Sequence, residues 1–253
     1  MRSIGSELVR PAVPAVAVVR GVFASLALLA ISAAPLPSQQ TDLAASGTRW
    51  SVDTVRLFSG SSALAVALMP LDEEVRRGLQ QPFLQESPLA ASAAHLFGAM
   101  GEPVPLAALG AGTLIAWAAG HDETRNALLH VLSALAVSGT MVFTMKAAAG
   151  RARPFLDRGP WAYASGRGLG SASFRSFPSG HTSQSFTFAT SLPAELRAHT
   201  GWHAPWLTAG LHVAAGLTGL SRIYHDRHWS SDVVVGAALG IVGSRLTHEL
   251  FHR

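Results

Sequence analysis

Long apolar stretches separated by short polar clusters dominate the chain from about residue 104 onwards. Four runs carry most of this character, at 104–120, 127–145, 204–220 and 233–242. None alternates residue by residue as a half-buried strand does, and they favour Ala, Leu and Met, so each is expected to be helical. A bilayer span takes about 20 apolar residues. The first three runs are borderline by that measure, and His130 and His212 interrupt two of them. The fourth reaches span length only with its polar flanks. A stretch at 183–192 carries Ser, Gln and Thr and would have to face protein rather than lipid. Residues 50–85 alternate apolar and charged patches, which predicts one or two amphipathic helices. Their charged cluster (Asp72, Glu73, Glu74, Arg76, Arg77) is expected on a solvated face. The fold class that follows is all-α, a helical bundle, and 253 residues suit a single domain.

The first residues follow a different pattern. Arg2, Arg10 and Arg20 precede an uncharged apolar run at 21–34, the layout of an export signal. Ser32 and Ala34 fit small-x-small cleavage although Pro35 hinders it, and Ala30 with Ser32 is a second option. An uncleaved anchor is the alternative. Residues 1–34 are therefore expected to be a signal peptide or N-terminal membrane anchor, and 35–48 a linker rich in Pro, Ser and Gln. Residues 49–253 form the domain, with a motif-bearing core at 126–248. Export to the cell envelope is the expected localisation.

Composition sharpens this picture. Charged residues are 13% of the chain, about half the roughly 25% usual for soluble domains, and the mean hydropathy is +0.29. Both lean toward a membrane. The net charge of +4 is scattered, which argues against nucleic acid, whose binding normally shows a basic stripe. A modest positive field suits an anionic substrate instead. With no cysteine, disulfides, thiolate chemistry and Cys-ligated zinc are excluded.

Three clusters carry candidate chemistry. The first is Lys146, six residues, then Arg153-Pro154. A separation of seven places both cations on one helix face if the helix runs through, although Gly150 and Pro154 suggest that it ends nearby. Cations near an apolar helix end also commonly snorkel to water, so this cluster alone is ambiguous. The second is Pro178-Ser179-Gly180-His181, at the start of a predicted helix. Free backbone N–H groups there favour a phosphate, Ser179 adds a hydroxyl, and Gly180 permits close approach. A plain N-cap with an incidental histidine fits equally well. The third is Ser221-Arg222, five residues, His228, three residues, Asp232. On a helix His228 and Asp232 share a face, where the carboxylate can fix the imidazole tautomer and leave Nε2 as a nucleophile. Arg222 offers a planar fork for two phosphate oxygens. His225 is the rival nucleophile, but Trp229 rather than a carboxylate stands four residues on.

Taken together, these residues resemble the type 2 phosphatidic acid phosphatase family, in the superfamily that also holds acid phosphatases and vanadium haloperoxidases. The family pattern, Lys-x6-Arg-Pro, Pro-Ser-Gly-His and Ser-Arg-x5-His-x3-Asp, is matched at every position between 146 and 232. The resemblance implies a helical bundle and a phosphatase acting through a phosphohistidine. It assigns the phosphoryl oxygens to Lys146, Arg153, Arg222, Ser179 and Gly180, attack to His228, orientation to Asp232, and acid–base catalysis to His181. It implies no metal or other cofactor, and a phosphorylated lipid or small molecule as substrate. Arg158, Arg167 and Arg175 either steer an anionic headgroup or are solvated loop charges. Alternative readings are a soluble periplasmic acid phosphatase of broad specificity, a haloperoxidase holding vanadate through His228, and a non-catalytic membrane scaffold.

Overall fold

A computed structural model describes residues 52–252; the expected signal or anchor segment and the linker lie outside them. Nine helices occur among the described residues: α1 (Val52–Leu68), α2 (Asp72–Leu79), α3 (Pro82–Gln85), α4 (Pro88–Gly98), α5 (Pro103–Ala118), α6 (Asp122–Ala149), α7 (Gly180–Thr200), α8 (Pro205–Tyr224) and α9 (Ser230–Phe251). Within the same residues the one β feature is an isolated bridge between Arg151 and Tyr163. The all-α expectation holds.

Local chemistry sets the boundaries. Prolines open α3, α4, α5 and α8 in their first turns, where the missing N–H has no intrahelical role. Gly150 and Gly201 close α6 and α7 in the left-handed conformation that most side chains resist. All four apolar runs lie on helices, and α7 carries the polar stretch onward through Pro193 to Thr200.

The centre of the bundle is α9, which packs on α7, α6 and α1. It is buried from Ser230 to Ser244. Such close packing needs small residues: a Cβ on Gly236 would collide with the carbonyl of Ser179, and one on Gly240 with that of Ser183. In contrast, α5 and α6 turn large apolar side chains outward, among them Leu114, Ile115, Trp117, Leu129 and Phe143. An apolar exterior of this kind suits lipid. Two helices, Asp122–Ala149 and Ser230–Phe251, are long and apolar enough to cross a bilayer. The pair Pro88–Gly101 and Pro105–Ala118, bent by 49°, meets the same test jointly.

Two expectations for residues 50–85 are corrected. Three helices form there rather than one or two. The charged cluster is not simply solvated either. Asp72 is fully buried, and Arg76 makes a two-pronged pair with Asp226, through Nε at 2.7 Å and Nη2 at 2.8 Å. Only Arg77, among the paired residues of this cluster, has a largely exposed side chain. Distant partners decide these positions.

Candidate active site

Two helix ends and two helix starts meet at one end of the bundle. Lys146 sits in the last turn of α6, just ahead of the Gly150 turn. Beyond that turn the chain is extended at Arg153, whose N–H donates to the Ser173 carbonyl at 2.9 Å. Lys146 and Arg153 therefore meet across a helix end, not along one face. The start of α7 brings Gly180 and His181, and the last turn of α8 brings Arg222. Asp226 then adopts a positive φ of 57°, and the Arg76 pair anchors this turn. His228 follows in the loop, so it does not share a helix with Asp232, which lies in the first turn of α9. The chain reversal keeps the two close nevertheless.

Lys146, Arg153, Gly180, His181, Arg222 and His228 line one cavity of about 660 Å³. Arg175 joins them, whereas Arg158 and Arg167 stack over Phe174, at 5.6 Å and 4.2 Å from its ring centre. His95, Glu102, His225 and Arg227 complete the wall. Five cations thus face one carboxylate. Backbone carbonyls aim three of them: Lys146 Nζ donates to Arg175 O at 2.6 Å, Arg153 Nε to Ala172 O at 3.0 Å, and Arg175 Nε to Gly168 O at 2.6 Å. A carbonyl orients a cation without neutralising it, so the positive field persists in the cavity. Arg222 Nε is buried with no hydrogen-bond partner among the described residues. Such a donor is costly to leave unpaired and suits an arriving anion.

His228 is 3% exposed, and its Nδ1 lies 3.6 Å from Asp232 Oδ2, just beyond hydrogen-bond reach. Burial first, and then the Lys146 and Arg153 charges, outweigh the pull of Asp232 and push its pKa down to about 3. The imidazole is therefore neutral and keeps a lone pair. His181 Nε2 stands 3.1 Å from Glu102 Oε1. Burial lowers the His181 pKa, while the Glu102 contact works in the opposite direction.

Two of the expected residues stand behind the cavity wall. Ser179 is buried, and its hydroxyl accepts from the Thr182 N–H at 3.5 Å and meets Thr182 Oγ1 at 2.8 Å. Its side chain thus caps α7, leaving the Gly180 and His181 amides as the leading donors of that helix. A Cβ on Gly180 would meet only Val142 at 3.6 Å and Lys146 at 3.7 Å, so protein packing does not demand a glycine here.

Asp232 is the hub of a buried network that the sequence reading missed. Its Oδ1 accepts from Arg151 Nη1 at 2.5 Å, and its Oδ2 from Ser176 Oγ at 2.6 Å and the Trp229 N–H at 2.9 Å. Arg151 Nη2 reaches Asp72 Oδ2 at 2.8 Å, and Asp72 also accepts from both Ser231 donors and from Ser230 Oγ. Arg151 and Ser176 thus hold Asp232 beside His228, and Asp72 holds Arg151. A hint lay in Arg151 itself, a third cation just past the end of α6, between Lys146 and Arg153. Glu102, Arg227 and His95 were missed as well, and nothing in their spacing marks them.

The family model of the PAP2 superfamily matches residues 127–253, just over half of the chain. The chain is 44% identical over 71 residues to the lipid A 1-phosphatase of Porphyromonas gingivalis, a stretch that is 28% of this chain and 15% of that protein. It is 30% identical over 158 residues to YbjG of Escherichia coli K12, provisionally assigned as an undecaprenyl-diphosphatase, covering 59% of this chain and 71% of that one. The match thus spans well under two thirds of the Porphyromonas protein's length. The crystal structure of Aquifex aeolicus LpxE shares the fold, with a TM-score of 0.52 and 23% identity over 71% of this chain and 95% of that one.

Proposed function

Because the chain belongs to the PAP2 superfamily, we propose that it is a membrane phosphatase that removes phosphate from a lipid phosphate or diphosphate through a phosphohistidine on His228. The observation that carries this reading is the neutral, buried imidazole of His228 facing a cavity in which five cations outnumber the one carboxylate, Glu102.

The chemistry divides into two displacements. Lys146, Arg153 and Arg222, with the Gly180 and His181 amides, hold the three non-bridging oxygens of the phosphoryl group. Charge that builds up there in the transition state is met by fixed donors, the largest usual contribution to such catalysis. Arg175 and Arg227 add to the field. The His228 Nε2 lone pair attacks phosphorus, the bond to the leaving oxygen breaks, and protonated His181 passes its proton to that oxygen. As the imidazole gains charge, Asp232 closes the 3.6 Å gap to Nδ1 and stabilises it; catalytic hydrogen bonds often tighten only in the loaded state. In the second displacement, neutral His181 takes a proton from water, whose oxygen attacks phosphorus. The N–P bond breaks, inorganic phosphate forms, and both histidines return to their starting states.

Lipid substrates are supported by the apolar exterior of α5 and α6, whose other ends border the cavity at Glu102 and Lys146, and by the two helices of span length. Two of the similar proteins bear names that refer to phosphorylated lipids. A substrate panel tests the proposal: a lipid A-type 1-phosphate, a polyprenyl diphosphate, phosphatidate and p-nitrophenyl phosphate, each with wild type and His228→Ala. Preference for a lipid substrate, lost in the variant, is expected. Equal turnover of all four by wild type would overturn the lipid assignment, and hydrolysis surviving in the variant would overturn the mechanism.

A further inference from the structure

At the end of the bundle away from the cavity, four histidines converge on one buried carboxylate. The Glu195 side chain in α7 is 2% exposed. Its Oε2 lies 2.9 Å from His130 Nδ1 of α6 and 2.8 Å from His252 Nε2, just past the end of α9. His199, one turn beyond Glu195, places its Nε2 3.2 Å from His130 Nδ1 and 3.6 Å from Glu195 Oε2. The ligand atoms of His130, Glu195, His199 and His252 all lie within 4.8 Å of one another.

Hydrogen bonding alone satisfies this arrangement poorly. His130 Nδ1 faces both a carboxylate oxygen and another imidazole nitrogen, yet a ring nitrogen carries either one hydrogen or one lone pair. Either a single hydrogen serves both contacts or lone pairs confront one another. A cation at the common centre removes the conflict by accepting every lone pair. Tetrahedral bonds of about 2.0–2.1 Å place neighbouring ligand atoms roughly 3.3 Å apart; four of the six separations, from 2.8 to 3.6 Å, bracket that value, and the other two lie within 4.8 Å.

We propose that His130, Glu195, His199 and His252 bind one divalent transition-metal ion of the zinc type, which ties α6, α7 and the end of α9 together. Imidazole with carboxylate is a zinc-type donor set. His248 Nδ1, 2.8 Å from the other Glu195 oxygen, orients the carboxylate as outer partners of metal ligands do. The role is structural. On α6, His130 lies about 24 Å along the axis from Lys146, too far to touch the phosphoryl group. Binding requires neutral imidazoles, so any hydrogens that point to the centre leave as the ion enters.

The test uses tag-free full-length protein in detergent, stripped with chelator and then supplied with Zn²⁺ alone. About one zinc per chain retained after desalting is expected, with Tm raised by about 5–10 °C at roughly hundredfold excess over Kd. In His199→Ala and in His252→Ala, both partly exposed positions, metal content should fall at least about tenfold and the zinc-dependent shift should vanish. The metal-free Tm of each should stay near that of stripped wild type. Wild type that retains no zinc and shows no shift would overturn the site. So would zinc retained at wild-type level by both variants, since the ion would then lie elsewhere. Should one variant fail to fold, the other and the wild-type metal count decide. None of these readouts depends on turnover, so they stand apart from the phosphatase proposal.

Discussion

Asp72 Oδ2 accepts a 2.8 Å hydrogen bond from Arg151 Nη2, with both side chains fully buried and 79 positions apart in the chain. The other branch of the same guanidinium holds Asp232. A helix that bears none of the recognised motif residues is thereby built into the support of His228.

Removing Asp72 takes the carboxylate from one branch of the buried Arg151 and from the Ser230 and Ser231 donors, while Asp232 still pairs the other branch. Asp72→Ala should cost at least about 1–3 kcal/mol of stability, the penalty of an unsatisfied buried donor, and Asp72→Asn, which keeps an acceptor, should cost less. Chemical denaturation measures both. An Asp72→Ala protein as stable as wild type would show that the Asp72 contacts do not stabilise the fold.

The buried His228 makes stability pH-dependent in a predictable sense. Its pKa is about 3 when folded, against 6.5 for an exposed histidine. Below pH 6.5 the unfolded chain takes up a proton that the folded chain refuses. The stabilisation is therefore complete above pH 6.5 and declines as pH falls toward 3, by up to about 1.4 kcal/mol per pH unit. A His228→Gln variant should lack that slope. Parallel pH profiles for the two proteins would contradict the assignment.

Glu102 supports the protonated form of His181, the form that the first displacement needs. Burial lowers the His181 pKa, so kcat/KM should decline on an alkaline limb that begins below pH 6.5 in the free enzyme. Glu102→Gln removes the upward pull and should move that limb to lower pH. A limb that stays in place in the variant would exclude Glu102 from this role.

Arg222 reaches the cavity with an unpaired Nε. Arg222→Ala should lower kcat/KM by about 10²–10³-fold, with most of the loss in kcat if the contact forms with the transition state. Arg222→Lys should recover little, because a point charge does not reproduce a planar fork. Full recovery by lysine would mean that charge alone matters there.

What could be read from the chain alone was local in sequence. Lys146, Arg153, Gly180, His181, Arg222 and His228 stood out because each motif is shorter than about three helical turns. The apolar runs identified the long helices because burial and lipid contact both demand continuous apolar surface. Asp72 was misread because a charged cluster looks the same whether water or a distant arginine satisfies it. Arg151 fell among the unspecified positions between Lys146 and Arg153. Ser179 had two compatible roles, and the fold gives its hydroxyl to Thr182. His228 and Asp232, linked by their spacing, lie 3.6 Å apart, but a loop, not a shared helix, brings them together. His130 registered only as a break in an apolar run, since its carboxylate partner lies 65 positions away.

The measurement that bears most directly on the proposed chemistry is acid-sensitivity of a trapped intermediate. Wild-type protein is mixed with ³²P-labelled lipid phosphate, quenched in alkali within the first turnover, and separated from free label. Label that is bound to the chain, stable in alkali, released by mild acid and absent from His228→Ala is the expected result. Rapid turnover with no label on the chain at any time point, or equal labelling of the His228→Ala protein, would contradict it.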